Sequence, residues 1–304
     1  MPRFVCALSL SASALLAGAW VAAQDKPPAQ SAPQGGPARA EGGVFPAGGS
    51  LAPFEIAVPS AAVKVTMVPI PGQEVEVADP TAPEQKKKLE VGPFWISKTE
   101  VPWEVFDVFV YRMELEDSSA AAGPDGVSRP SRPYLPPDRG FGHAGYAAIS
   151  FSFHSAQKFC EWLSVKSGRK LGVPTEAQWV AALDPAERAV YGGDLGTKEA
   201  LLGRAWYKDN CQGKPEAVGT KPANTHGVHD LLGNVADFCT DLTGKPVALG
   251  GSWRDSLDKL PAKMRAYQTS AWNASDPNIP RSTWWLTDCD FVGVRIVCTP
   301  DPTK

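Results

Sequence analysis

The sequence has no excess of basic residues and few histidines. Its 304 residues include 30 lysines and arginines, 33 aspartates and glutamates and 4 histidines, with a formal net charge of −3. Proteins that bind nucleic acid or anionic lipid electrostatically carry a basic patch, so this balance argues against both partners. Four histidines are also too few for a histidine-rich metal centre. No internal repeat at a fixed period is present.

The apolar segment near the N-terminus lacks a cysteine at its end, which argues against a lipid anchor there. Arg3 precedes an apolar stretch at residues 4–23, and small residues occupy positions 21–23. This pattern predicts a signal peptide over residues 1–23, and hence a secreted or periplasmic protein with no stable membrane span after cleavage. An uncleaved membrane anchor is the alternative, because about 20 apolar residues can cross a bilayer.

Large apolar side chains are scarce in residues 24–60, which are rich in proline, alanine, glycine and serine. Such a segment cannot bury enough surface to offset the entropy lost on ordering, so its composition predicts a disordered linker. The folded domain is then expected to occupy residues 61–300.

Three helices are predicted in that domain. Their starts are marked by Pro102, by Ser152 and by a capping box of Thr175 with Gln178. Gly168 is predicted to end the second helix, and Asp184-Pro185 to close the third. Their apolar faces are Val105, Phe106, Phe109, Val110 and Met113, then Ala156, Phe159, Cys160 and Leu163, then Trp179, Ala182 and Leu183.

The strands are predicted to be short, at residues 63–69, 94–96, 247–249 and 292–297. Glycine, proline and asparagine punctuate the rest, so we expect an α+β fold with a large irregular fraction. Ten tryptophans indicate a core organised around indole rings, with Trp272, Trp284 and Trp285 assigned to the core rather than to a ligand groove.

Five segments, in order, resemble the blocks of one family. They are "KTEVPWEVFDVF", "AISFSFHSAQKFCEWLSVKSGRKLGVPTEAQWVAAL", "VGTKPANTHGVHDLLGNVADFCTDL", "LGGSWRD" and "FVGVRIVC". The family is that of the formylglycine-generating enzyme, or sulfatase-modifying factor domain. The resemblance implies a variant of the C-type lectin-like fold, with a small mixed sheet, a few helices and much irregular chain.

The two cysteines that the family's catalytic members use are missing. Those members oxidise a sulfatase cysteine to formylglycine with copper and oxygen, through a pattern resembling G-G-S-x-x-C-x4-C. Ser252 matches the family's active-site serine, but Asp255 and Leu260 stand where the cysteines fall. A carboxylate and an aliphatic side chain cannot replace two thiolates for Cu(I), so no copper is expected.

This loss favours a non-catalytic binding or accessory protein whose ligand is an unknown protein, peptide or glycan. An oxidase that acts on sulfatases through other residues remains an alternative. So does a different enzyme that reuses the pocket near Ser252, Arg254 and Asp255. An ion pair between Arg254 and Asp255 is the simpler interpretation of those two charges.

The resemblance also implies a calcium site in "HDLLGNVADF". Asp230 and Asp237 would supply side-chain oxygens, and Gly233 and Val235 backbone carbonyls, all hard ligands of the kind that calcium takes. Asp237 replaces the family's usual glutamate, and the alternative is that both aspartates are capping and turn residues. The family's second calcium site is expected to be missing, since Trp206 sits near its asparagine position.

Disulfides are the simpler interpretation for two or four of the cysteines of an exported protein, with the pairing left open. The five that follow the signal segment are Cys160, Cys211, Cys239, Cys289 and Cys298. His226 and His229, three residues apart, are interpreted as packed aromatic side chains rather than as a metal pair.

Overall fold

The domain starts earlier in the chain than its composition predicts. The computed structural model describes residues 51–115, 125–194, 201–260 and 264–300. The predicted signal peptide at 1–23 and most of the predicted linker lie outside these residues. Strand β1, Phe54–Ile56, falls among the residues predicted to form the linker, and it pairs with the next strand. The boundary at residue 61 was therefore wrong, because two buried side chains, Ile56 and Val58, already anchor this segment.

Within the described residues the helices are α1 (Trp103–Tyr111), α2 (Phe153–Ser167), α3 (Glu176–Ala182) and α4 (Pro185–Tyr191). The strands after β1 are β2 (Val65–Ile70), β3 (Gln73–Asp79), β4 (Ala82–Val91), β5 (Phe94–Ser97), β6 (Leu171–Gly172), β7 (Ala236–Thr240), β8 (Pro246–Leu249), β9 (Arg265–Ala266), β10 (Val292–Gly293) and β11 (Val297–Cys298). The predicted α+β class is confirmed.

The predicted helix starts are confirmed where the signal is a local hydrogen bond. The Ser152 hydroxyl accepts a hydrogen bond from the Ser155 amide, and Thr175 forms a reciprocal capping box with Gln178. The apolar face predicted for α1 is wrong at Met113. The helix ends at Tyr111 and leaves the Met113 side chain exposed.

Three sheets organise the described strands. One has the order β1-β2-β5-β11-β6, the second β10-β7-β8-β9, and β3 pairs with β4 as a hairpin. The strand predicted at 292–297 is therefore two strands in different sheets. The chain leaves the second sheet after Gly293 and joins the first at Val297, and Arg295, between them, is fully buried.

Aromatic rings fill the core between α1 and α2, as the tryptophan content predicted. Phe106 stacks on Phe151 with ring centroids 4.4 Å apart, and Phe109 packs against Trp162 at 5.7 Å. A buried guanidinium, that of Arg129, lies over the Phe109 and Trp162 rings at 5.2 and 5.1 Å. The cation is balanced by buried carboxylates, which makes its burial tolerable.

The cysteines of the described part of the chain are all unpaired, so the predicted disulfides are wrong. The five thiols are those of Cys160, Cys211, Cys239, Cys289 and Cys298. Four of them are buried as small apolar side chains in the core, where burial raises the pKa of the thiol. Over the same residues, no helix is long and apolar enough to cross a membrane.

Candidate functional site

Two glycines bring the segment at 250–260 against its neighbours. Gly250 and Gly251 have φ of +100° and +68°, a region that side chains disfavour. A Cβ on Gly250 would lie 2.5 Å from the Leu231 carbonyl oxygen, and one on Gly251 would lie 2.5 Å from Cδ2 of Leu260. Both positions therefore require glycine, for backbone conformation and for space.

Asp255 closes its own turn. Its Oδ2 accepts hydrogen bonds from the amide and the hydroxyl of Ser252, both at 3.0 Å. Leu260 is fully buried in the core. The two positions that would carry copper ligands thus hold an occupied carboxylate and a hydrocarbon, and this donor set does not fit Cu(I).

Arg254 forms its ion pair with Asp290, so the predicted Arg254–Asp255 pair is wrong. The reason is that Asp255 is turned inward onto Ser252. The guanidinium of Arg254 also lies over the rings of Trp253 and Phe291, at 5.1 and 5.0 Å. Burial raises the pKa of Asp290, and Arg254 opposes that shift.

A buried charge cluster, formed by Glu100, Asp230, Asp237 and Arg295, lies beside this segment. The Arg295 guanidinium donates from Nε to Asp237 Oδ2 at 3.0 Å, and its Nη2 lies 3.4 Å from Glu100 Oε2. Trp179 Nε1 donates to the same Asp237 oxygen at 3.0 Å. Three carboxylates share one buried cation, so the cluster is short of positive charge.

The pKa values of the three carboxylates in the cluster are all raised. Burial raises the pKa of Glu100 well above its ordinary value, and the Asp230 charge adds to it. Burial also raises the pKa of Asp230 and of Asp237, while Arg295 opposes both shifts. One oxygen of each carboxylate is buried without a hydrogen-bond partner: Glu100 Oε2, Asp230 Oδ1 and Asp237 Oδ1.

The predicted calcium ligands lie in the buried turn at 230–235 and at the start of β7. Asp230 Oδ2 accepts from the Gly219 amide at 2.7 Å and its Oδ1 is unpartnered, so one oxygen of Asp230 is free for a hard cation. Asp237 offers one oxygen in the same way. Each aspartate therefore has one oxygen available to a hard cation. No group of three or more histidine, cysteine, aspartate or glutamate side chains in the described part of the chain is arranged to hold a metal.

The turn at 230–235 and the 250–255 segment form one unit. The Gly233 amide donates to the Gly250 carbonyl at 3.0 Å, and the Trp253 amide donates to the Asn234 carbonyl at 2.8 Å. On its other side, the Asn234 amide donates to the Trp206 carbonyl at 2.7 Å. The segment where the family's cysteines fall and the predicted calcium ligands are thus direct neighbours.

The two histidines singled out by their spacing are both partly buried. His229 Nδ1 makes a 2.7 Å hydrogen bond with the Lys221 carbonyl. Burial lowers the pKa of His226. Both observations fit packed side chains.

A partly open cleft lies near the Arg254–Asp290 pair. The space over its lining, with the open solvent at the mouth included, is about 420 Å³. Its lining comprises residues 133–137, Arg139, Ser150, residues 276–278, Ser282, Trp285 and Thr287. The positive charge of Arg139 lowers the pKa of Asp290, so the cleft adjoins the ion pair. Trp285 is buried yet lines the cleft, so its assignment to the core alone was incomplete.

His143 clamps the segment that carries Arg139. Its Nε2 lies 2.6 Å from Asp107 Oδ2 on α1, and its Nδ1 lies 3.0 Å from Asp138 Oδ2. The ring also stacks on Trp103 at 5.3 Å. Burial alone would lower the pKa of His143, but hydrogen bonds and charge from the two aspartates outweigh it and raise the pKa.

This clamp predicts a pH dependence of stability. Because the folded pKa of His143 is raised, its contribution is fully present below about pH 6.5 and is lost as pH rises through the folded value. The side chain is 44% exposed, so we expect a change below about 1 kcal/mol. Urea unfolding from pH 6 to 8 should show this slope in the native protein and not in His143→Gln. His154→Gln, on the exposed side of α2, is the comparison: burial lowers the pKa of His154, so its removal should change the slope in the opposite sense.

Several of these groups were not singled out from the sequence. Arg295 had a usable signal, since an arginine within the apolar run "FVGVRIVC" must find buried partners. Glu100, Asp290 and Ser150 had none, because their roles depend on residues distant in the chain.

Comparisons with known proteins agree with this architecture. The profile of the sulfatase-modifying factor enzyme 1-like domain matches residues 54–280. Treponema denticola variable protein 1 is similar in structure, with a TM-score of 0.57 and 18% identity, over 83% of this chain and 100% of that one. PvdO from Pseudomonas aeruginosa is similar with a TM-score of 0.53 and 16% identity, over 81% and 99%. No curated protein matches in sequence. At these identities the two structures show the fold alone.

Proposed function

Because the chain belongs to the sulfatase-modifying factor enzyme 1-like family, as its motifs predicted, we propose that it is a non-catalytic binding or accessory member of that family. One observation carries the proposal: Asp255 is hydrogen-bonded to Ser252, and Leu260 is buried, where two thiolates are needed. Ser252 itself is buried, which argues against a nucleophile that reuses the same pocket.

The proposal predicts that the native protein neither binds Cu(I) tightly nor converts a sulfatase-type cysteine peptide to an aldehyde. Competition with a Cu(I) chelator measures the first, and mass spectrometry of the peptide measures the second. The reason is ligand softness, since neither residue can supply a thiolate. Asp255→Cys with Leu260→Cys is the informative comparison, because two thiols at these positions should gain Cu(I) affinity. An aldehyde product from the native protein would overturn the non-catalytic role.

Calcium is part of the proposal. The unpartnered oxygens of Asp230 and Asp237 and the net negative charge around Arg295 support a hard cation held with the carbonyls of Gly233 and Val235. The ion would supply the missing positive charge and tie the turn at 230–237 together.

Calcium at about a hundredfold over its Kd should then stabilise the fold by roughly 2.7 kcal/mol. Thermal unfolding with calcium and with chelator measures this difference. Asp230→Asn and Asp237→Asn should each remove the response to calcium, whatever their own stability. Asp241→Asn is the control, since the Asp241 carboxylate already accepts from Thr243, Lys245 and Tyr267. Identical melting curves with and without chelator would contradict the site.

Export completes the proposal. Arg3 followed by the apolar stretch at 4–23 supports a signal peptide, and a secreted or periplasmic location suits a protein that binds an external protein, peptide or glycan. Mature protein from the native host should begin near Gln24. Intact protein that still begins at Met1 in the membrane fraction would favour the anchor.

A further inference from the structure

Ser150 carries a buried hydroxyl that the fold does not use. The residue is 3% exposed, and its Oγ has no hydrogen-bond partner. Its backbone is fixed, since its amide donates to the Cys289 carbonyl at 3.0 Å and its carbonyl accepts from Leu286 at 2.9 Å. Its φ is +64°, a conformation that costs free energy for any residue but glycine. A strained residue with an unpaired hydroxyl is expected where a ligand provides the partner.

Ser150 lines the cleft described above, whose walls are mostly apolar rings. Trp285 contributes an indole whose Nε1 already donates to the Ser131 carbonyl at 2.8 Å, so only its ring surface remains to contact a ligand. The other rings of the lining are those of Pro133, Tyr134, Pro136, Pro137 and Pro277. Such walls suit an apolar ring.

Two polar side chains of the lining, those of Arg139 and Ser150, can donate hydrogen bonds to a ligand. Arg139 forms no ion pair among the described residues, and Asp290, whose carboxylate feels the Arg139 charge, is paired with Arg254 instead. Asp276 also lines the cleft, but its two oxygens accept four hydrogen bonds, from Asn273, Asn278 and Ser282. Arg139 and the Ser150 hydroxyl thus call for an oxygen acceptor, and the cation favours one with negative charge.

We propose that this cleft binds an apolar ring that carries a carboxylate. The ring packs against Trp285 and the prolines, and the carboxylate accepts from Arg139 and Ser150. The inference rests on the binding role proposed above and gives that role a ligand chemistry. The acid is either a free aromatic acid or the C-terminal residue of a polypeptide.

Exposed side chains at the rim of the cleft distinguish a polypeptide ligand from a free acid. Tyr134 is 75% exposed and Ile279, beside the lining residue Asn278, is 99% exposed. A polypeptide would cover these side chains, whereas a free acid would leave them in water. A peptide with an aromatic C-terminus should therefore bind more tightly than a free acid of the same ring.

The test is an NMR titration of the full protein with defined probes. Phenylacetate carries the ring and the charge, phenylacetamide carries the ring without the charge, and acetate carries the charge without the ring. Acetyl-Gly-Ser-Gly-Phe with a free or an amidated C-terminus tests the polypeptide source. We expect saturable binding of phenylacetate or of the free-acid peptide, and at least about tenfold weaker binding of the amides and of acetate.

Two variants tie the binding to the cleft. Arg139→Gln should weaken the acids about tenfold and leave phenylacetamide unchanged, because only the charge is lost. Ser150→Ala should weaken the acids and the amides about fivefold, and Ser150→Gly should do the same while relieving the strained φ. Arg169→Gln, whose guanidinium lies over Phe54, is the matched control and should bind as the native protein does.

Binding of the peptide acid alone would identify a polypeptide C-terminus, and preference for phenylacetate would identify a free acid. Absence of saturable binding by either acid would overturn the inference, as would equal binding by native protein, Arg139→Gln and Ser150→Gly. These outcomes are independent of the aldehyde assay, so failure here leaves the non-catalytic role standing.

Discussion

Replacing Arg295 with methionine is expected to lower the free energy of unfolding by about 3–5 kcal/mol. The guanidinium is the cation of the buried charge cluster, and it also donates to the carbonyls of Ser97 and His229 at 3.2 and 2.5 Å. Methionine would fill part of the space but, with chelator present to remove calcium, leave the three carboxylates without a counter-charge. Urea unfolding at pH 7 measures the loss.

The same substitution at Arg254 is the matched control. The Arg254 side chain is 41% exposed but that of Asp290 only 12%, so Arg254→Met should cost more than loss of a surface ion pair and less than Arg295→Met, about 1–2 kcal/mol. Arg295→Lys should fall between, because a lysine keeps the charge but cannot reach Asp237 and two carbonyls with a planar fork. Equal losses for Arg295→Met and Arg254→Met would show that the buried cluster is not held by its arginine.

Gly233→Ala is expected to cost about 2–5 kcal/mol. Gly233 has φ of +82°, and a Cβ there would lie 2.2 Å from the Trp206 carbonyl oxygen. The carbonyl is backbone, so the turn at 230–237 would have to move as a whole. Gly244→Ala is a close control, with φ of +80° and nothing within 4 Å of the added Cβ.

The control isolates the conformational part of the cost, about 1–2 kcal/mol. Urea unfolding of both variants gives the difference, which belongs to the contact with Trp206. If the two variants lose the same stability, the close approach of the Gly233 turn to Trp206 is not a constraint in solution.

Local signals predicted the parts of the fold that depend on neighbouring residues. The Thr175/Gln178 capping box is satisfied within four residues, and it is found as predicted. Asp184-Pro185 was interpreted as the close of α3, yet it starts α4. Proline is well suited to the first turn of a helix, and Asp184 forms a capping box with Glu187. An Asp-Pro pair can follow the end of one helix or begin the next helix, and only the residues after it decide which of the two occurs.

The site was predicted in part, for a similar reason. Family motifs located Ser252, Asp255 and Leu260, and the absence of thiols follows from residue identity alone. The partner of Arg254 did not follow, because the choice between Asp255 and Asp290 depends on which way a turn folds. The hairpin of β3 and β4 was missed as well, since the exposed, charged β4 has no apolar pattern to mark it.

The position of β11 has a consequence for the order in which the protein forms during synthesis. Val297 pairs with Ile96 on one side and with Gly172 on the other, so a strand made almost 300 residues into translation separates two made much earlier. Until it arrives, β5 and β6 lack a shared neighbour, and the carboxylates near Arg295 lack their cation. Contacts this distant in sequence form slowly. A ribosome-bound chain that stops before residue 292 should therefore be sensitive to protease, and release of the remaining residues should confer resistance.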